Sequence, residues 1–363
     1  MKTRLLDFIQ HHHGDFNTLA IDLYKHHLAH NLAYSRYCNN LGVGADSVQH
    51  WRDIPTVPTD VFRHVHLFCG QPHEAAFVFR TSGTTSGLRG EHLLKNLDVY
   101  HASALTSIQQ LLLPPGALPD PDTHALMLAP PPDLLPDSSL SSMLGLIGDT
   151  FFPTTSTFAW TRDTLDLDLA RHWIDDRRRD RRPGLILATS FALVSLLDHL
   201  KALDADAHLP PGSIVMPTGG TKGRTREISA AELEARLVDS LGVSPERIVQ
   251  EYGMTELCSQ LYDPRLARAL TGLPPLDRPA LTAPPWCRVT VHDPLTLEPL
   301  EPGQIGLLRF TDLSNLDSVC SVQTSDRGLL LDPSEAGDTI ELLGRAPGAT
   351  PRGCSLLIEE AGL

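Results

Sequence analysis

Ten consecutive residues carry the densest chemistry in this chain. Thr81-Ser82-Gly83-Thr84-Thr85-Ser86-Gly87-Leu88-Arg89-Gly90 contains five hydroxyls and three glycines, and it follows the short apolar run Phe77-Val78-Phe79. Glycine lets successive backbone N–H groups turn towards one point, and Ser/Thr hydroxyls add donors there, which suits a phosphate chain. Taken alone, the run fits a Gly/Ser/Thr surface turn as well. It is not a Walker A loop, because Gly83 is followed by Thr84-Thr85-Ser86-Gly87-Leu88-Arg89 rather than by the spacing that ends in Gly-Lys-Ser/Thr.

Two later runs add acids and a ring. Gln250-Glu251-Tyr252-Gly253-Met254-Thr255-Glu256 offers two carboxylates, an aromatic face and a hydroxyl within seven residues. Thr324-Ser325-Asp326-Arg327-Gly328, then Leu343-Gly344-Arg345, supply a further acid and a guanidinium.

The elements that must position these groups are read from periodicity. Residues 1–50 show apolar positions at helical intervals: Leu5, Ile9, Leu19, Leu23, Leu28 and Leu32. His11-His12-His13 and His26-His27 lack a carboxylate or cysteine at ligand spacing and are expected to face solvent. The segment Trp51 to Arg63 is extended and proline-punctuated. Glu91 to Leu113 is expected to be a helix, aiming its N-terminal N–H groups at the preceding loop. Ala125–Ala129 is a strand, and Ser138 caps a helix running to about Ile147. Residues 165–182 form a helix with a solvated, arginine-rich end. From 184 onward strand and helix alternate: Leu185–Ala188, Phe191–Leu203, Ile214–Met216, Ser229–Leu241 and Arg247–Gln250. Such alternation implies an α/β fold with a largely parallel sheet, whose ligands bind beyond the carboxyl ends of the strands. The three runs Thr81–Gly90, Gly219-Gly220-Thr221-Lys222 and Tyr252–Glu256 each follow an expected strand, so they are read as one site. Residues 286–310 read as β-structure.

Composition narrows the classes. With 363 residues, 41% hydrophobic and 20% charged, the chain is an ordinary globular one, and no apolar run approaches a membrane span. A net charge of −14 disfavours nucleic acid as a partner. The six cysteines are scattered without a C-x-x-C pair, which argues against a disulfide framework and for a reducing cytoplasm. Arginines outnumber lysines 25 to 5.

Phe77–Gly90 and Gln250–Glu256, in this order, resemble the T-S-G-T-T-G-x-P-K-G and Y-G-x-T-E signatures of acyl-adenylating enzymes: acyl-CoA synthetases, firefly-type luciferases and peptide-synthetase adenylation domains. The run Ile54-Pro55-Thr56-Val57-Pro58 followed by Phe62-Arg63 narrows the resemblance to the acyl-protein synthetase (LuxE-like) family, the ligase component of bacterial fatty-acid reductases. The resemblance covers residues 51 to 355. It implies an α/β core over 71–345, preceded by a helical segment and connector over 1–70 and followed by a short segment, 346–363, after a hinge. It also implies that a mobile C-terminal lid domain is absent.

By the same resemblance, Thr81, Ser82, Gly83, Thr84, Thr85 and Gly87 cradle the β/γ-phosphates of ATP. Gly219, Gly220 and Thr221 let the backbone approach the adenine, and Tyr252 stacks on it, flanked by Glu251, Gly253 and Met254. Thr255 touches the α-phosphate, Glu256 holds Mg²⁺, and Asp326 accepts from the ribose hydroxyls with Arg345 nearby. Arg89 stands where the family's loop lysine is usual, keeping the charge but not the geometry. Asp137-Ser138-Ser139-Leu140-Ser141-Ser142-Met143 corresponds to an element lining the acid pocket. Cys354, in Arg352-Gly353-Cys354-Ser355, corresponds to the family's acyl-carrying thiol; equally, it fits a small buried residue. The reaction implied joins a carboxylic acid, fatty by family default, to ATP as an acyl-adenylate. The acyl group then passes to a protein thiol and on to a reductase or carrier protein. A truncated CoA ligase and a non-catalytic nucleotide- or partner-binding protein are the alternatives.

Overall fold

The computed structural model describes residues 1–81, 88–118, 122–161, 164–219 and 228–345. The chain folds as two compact units. The first joins Met1–Thr106, Met254–Leu261 and the chain from Arg278 onward; the second joins Ser107–Gly253 and Tyr262–Asp277.

The second unit is built on strands laid side by side in the order Ser156–Phe158, His124–Leu128, Gly184–Thr189, Ile214–Thr218 and Glu251–Tyr252, all parallel. A run such as Leu185-Ile186-Leu187-Ala188 is apolar at every position because helices cover such a strand on its faces. Ile186, Ala188 and Val215 pack with Trp173, Leu193, Leu197, Leu233 and Leu237 in one buried cluster. Four of its described helices, though not Arg265–Leu270, begin where a short polar side chain takes a free first-turn N–H. Asp166 accepts from the Leu169 N–H, Thr189 from Ala192 and Ser229 from Glu232, opening Leu167–Asp180, Ser190–Ala202 and Ala230–Leu241. Ser138 does the same for Ser139–Phe151.

The first unit carries the helices Lys2–His11, Phe16–His30 and Leu32–Asn40 and nearly all of Asp98–Ser107. Its strands Cys287–His292, Gly306–Asp312, Ser321–Asp332, Thr339–Arg345 and Leu281–Thr282 run antiparallel, each to the next. Val57-Pro58, from the proline-punctuated segment, pairs parallel with Val322-Gln323. A separate hairpin joins Phe77–Arg80 to Glu91–Leu94.

Four sequence expectations give way. Glu91 to Leu113 is not one helix: Glu91–Leu94 is a strand, the helix is Asp98–Ser107, and a π-helical turn, Ile108–Leu112, follows. Leu94 is at helical spacing from Leu97 but is occupied by pairing with Phe77, so no helix N-terminus stands directly behind the phosphate run. Arg247–Gln250 is not a continuous strand: Pro245–Arg247 is a 3-10 turn, Ile248 makes a single parallel bridge to Val215, and strand pairing follows at Glu251. His27 does not face solvent. It is fully buried, its Nε2 donates to the Leu316 carbonyl at 3.1 Å, and burial pushes its pKa down to about 3. The arginine-rich helix end is not wholly solvated either: Arg177 is buried, 5.9 Å from the Trp173 ring centre.

Among the described residues no helix is long and apolar enough to cross a membrane, and no group of three metal-ligating side chains occurs. The five described cysteines are free and buried.

Candidate functional site

The phosphate run is the connection of the hairpin. Arg80 pairs with Glu91 and Phe79 with His92. Beyond that register, the Thr81 N–H donates to the Gly90 carbonyl at 2.9 Å, and the Gly90 N–H donates to Thr81 Oγ1 at 2.8 Å. Arg89 Nε donates to the Thr81 carbonyl at 2.7 Å, and one Nη donates to the Arg80 carbonyl at 3.2 Å. These bonds close the base of the loop across its two ends. Arg89, expected from sequence as a cation for the phosphates, thus uses its guanidinium in part as a clamp on the loop's entry. Ser82, Gly83, Thr84, Thr85 and Gly87 lie outside the described residues.

Also in the first unit, Met254, Thr255 and Glu256 are partly exposed on a main chain held from behind. The Thr255 carbonyl accepts from His92 Nδ1 at 2.6 Å, and the Glu256 carbonyl accepts from Asn315 Nδ2 at 2.9 Å. The Cys258 and Ser259 N–H groups donate to Asp312 Oδ2 at 3.0 and 2.9 Å. Asp312 is fully buried and also accepts from the hydroxyls of Ser259 and Ser314.

Charge converges on Glu256. Burial pushes its pKa up to about 7, against the pull of its own backbone N–H, Arg345 and Arg63, while Asp326 adds to the rise. Asp326 and Arg345 are direct partners across antiparallel strands, with Arg345 Nε 3.3 Å from Asp326 Oδ1. The Asp326 side chain is 15% exposed and that of Arg345 61%. Arg63, whose Nη1 is 2.9 Å from Asp60 Oδ1, comes from the proline-punctuated segment.

In the second unit, Gly219 follows Ile214–Thr218 with φ of 65°, a conformation that an L side chain resists, while an added Cβ would meet nothing within 4 Å. Backbone conformation, rather than space, calls for glycine here. The Gly219 carbonyl accepts from Ser190 Oγ at 2.7 Å. Beside it, Thr218 pairs with Glu251 and its hydroxyl donates to the Glu251 carboxylate. Glu251 is buried, and that burial pushes its pKa up to about 7. Tyr252 completes the same strand, and Gly253 is exposed. Gly220, Thr221 and Cys354 lie outside the described residues.

His92, Asn315 and Asp312 were not readable as site residues. No motif marks them, since each acts through a backbone partner distant in sequence. Arg63 was visible only as part of the proline-punctuated pattern.

The fold is similar to solved structures of 2-hydroxyisobutyryl-CoA ligase. The open conformation with 2-HIB-AMP and CoA matches at TM-score 0.65 and 12% identity, over 93% of this chain and 75% of that one. The postadenylation state matches at TM-score 0.65 and 13% identity, over 90% and 66%. Fold and motifs together define the class of ATP-dependent acyl-adenylating ligases. Within it, the chain belongs to the acyl-protein synthetase (LuxE) family, whose model matches residues 9–362. It is similar to the long-chain-fatty-acid–luciferin-component ligase of Vibrio harveyi, 23% identical over 93% of this chain and 85% of that protein. The protein of the same description from Aliivibrio fischeri is 21% identical, over 93% and 86%. The chain is an acyl-activating ligase.

Proposed function

We propose that this ligase activates a long-chain fatty acid with Mg·ATP and hands the acyl group to a protein thiol. The observation that carries the site assignment is the bond between the Thr255 carbonyl and His92, on the strand that leaves the Thr81–Gly90 run, which places the Thr255–Glu256 main chain beside that run. In the first half-reaction, a substrate carboxylate oxygen attacks the α-phosphorus. The bond to the bridging oxygen breaks and pyrophosphate leaves. In the second, a thiolate adds to the acyl carbonyl and AMP leaves. Bringing two anions together is mainly a matter of positioning and charge stabilisation.

Thr81 to Gly87 would hold the β/γ-phosphates, Gly219 to Thr221 and Tyr252 the adenine, Thr255 the α-phosphate and Asp326 the ribose. Glu256 offers the hard oxygen donor that Mg²⁺ takes alongside waters and phosphate oxygens, and the bound ion would neutralise phosphate charge. Cys354 is the first acceptor in this reading, and a reductase or carrier protein the second. The name of the Vibrio harveyi relative, which couples a fatty acid to a luciferin component, supports both substrate classes. The buried free cysteines fit a reducing cytoplasm.

The test is ATP–pyrophosphate exchange against long-chain, short-chain and aryl acids. Exchange with long-chain acids that disappears in Glu256→Ala is the expected result. A subsequent radiolabelled acyl-protein adduct, lost in Cys354→Ser while exchange persists, would assign the acceptor thiol. Exchange confined to aryl or short acids would overturn the fatty-acid assignment, and CoA-dependent product would overturn the protein acceptor.

A further inference from the structure

His92 occupies a position that core packing alone does not explain. It stands on Glu91–Leu94, two residues after Gly90, and its side chain is buried. The Phe62 ring meets it edge-on, with centroids 5.8 Å apart and planes at 76°. Its Nδ1 lies 2.6 Å from the Thr255 carbonyl oxygen. A carbonyl can only accept, so Nδ1 carries the hydrogen. Burial disfavours the cation and pushes the pKa down to about 4, so Nε2 holds a lone pair. That Nε2 is buried and has no hydrogen-bond partner among the described residues. An aliphatic side chain would fill the same space without stranding an acceptor. What only a donor supplies here is the bond to Thr255.

We propose that His92 is a positioning residue for the nucleotide site. It ties the main chain of Thr255 to the strand leaving the phosphate run, and so fixes where the Glu256 carboxylate stands. The inference rests on the reading of Thr255 and Glu256 as the Mg·ATP motif. It also gives the proline-punctuated segment a role. Phe62 walls the imidazole on one side and, on the other, comes so close to the loop exit that a Cβ on Gly90 would lie 3.4 Å from Phe62 Cβ. Outer partners that orient metal and phosphate ligands act in this way, through the ligand they hold rather than on the reactants.

The intact chain is compared with His92→Leu, which keeps apolar volume but no donor, and His92→Asn, whose amide nitrogen reaches close to the Nδ1 position. The half-saturating Mg·ATP concentration in exchange is expected to rise, or the rate to fall, by about 10–100-fold in the Leu variant. The Asn variant is expected to recover most of the loss, while melting temperatures without nucleotide stay close together. Unchanged kinetics in the Leu variant would overturn the proposal. So would loss of activity in both variants in step with loss of folded protein. Mg²⁺-dependent ATP binding separates this inference from the adenylation reading. A wild-type protein silent in exchange but weakened in Mg·ATP binding by His92→Leu supports the placement of His92 and removes the adenylation reading. Binding unchanged by the substitution removes the role of His92 alone.

Discussion

Asp326 and Arg345 face each other as paired residues of neighbouring antiparallel strands, with Arg345 Nε 3.3 Å from Asp326 Oδ1. The pair is open to solvent on the arginine side, and exposed ion pairs stabilise a fold by only about 0–1 kcal/mol. Its value is therefore placement of the carboxylate rather than stability. In Asp326→Ala the melting temperature should barely move. Hydrogen bonds to a charged group contribute about 1.5–3 kcal/mol, so the KM for ATP should rise roughly 10–100-fold. A large fall in melting temperature with unchanged KM would sink this assignment.

The proposed role of Glu256 as the Mg²⁺ ligand predicts a pH dependence of metal binding. Its folded pKa of about 7 means that the carboxyl must release a proton to bind metal at lower pH. The apparent Mg²⁺ affinity should thus fall roughly tenfold from pH 8 to pH 6, with proton release on binding that grows over the same range. Calorimetry in buffers of different ionisation enthalpy measures both. A flat profile would show that the carboxyl is ionised throughout.

Glu251 bears on stability instead. Its folded pKa of about 7 lies above the ordinary glutamate value of 4.5, so the folded protein holds the proton more tightly than the unfolded chain. The stability it contributes is present in full below about pH 4.5 and lost as pH rises through about 7, in total about 3 kcal/mol. Glu256 acts with the same sign, so the informative quantity is the difference between wild type and Glu251→Gln. Urea midpoints at pH 5 and pH 8 should lie closer together in the variant.

Asp312 anchors the chain just beyond Glu256 by accepting from the Cys258 and Ser259 N–H groups and from two hydroxyls. Removing this buried acceptor strands the Cys258 and Ser259 N–H groups, each at about 1–3 kcal/mol, while the two hydroxyls keep each other as partners. Asp312→Ala should destabilise the fold by at least about 3 kcal/mol by denaturant titration, and Asp312→Asn by less. Equal stability of wild type and alanine variant would contradict the burial described.

Much of the architecture is local in origin and was legible without coordinates. The strands Gly184–Thr189 and Ile214–Thr218 hold apolar runs, and the helices that follow them open on short polar caps whose bonds span three residues. The phosphate run, the Tyr252–Glu256 run and the family they indicate were likewise visible, because residue type and order carry them.

Tertiary structure alone decided what depends on partners distant in the chain. Leu94 sits at helical spacing from Leu97, yet pairing with Phe77 makes it part of a strand, since hairpin register outweighs a short helical pattern. His27 reads as a surface histidine and His92 carries no signal at all until Leu316 and Thr255, 289 and 163 residues away, supply the carbonyls that let an imidazole be buried. The elevated pKa of Glu256 has the same origin. Composition names a carboxylate, but only packing removes the water that would keep its charge cheap, and only folding brings Asp326, Arg345 and Arg63 to bear on it.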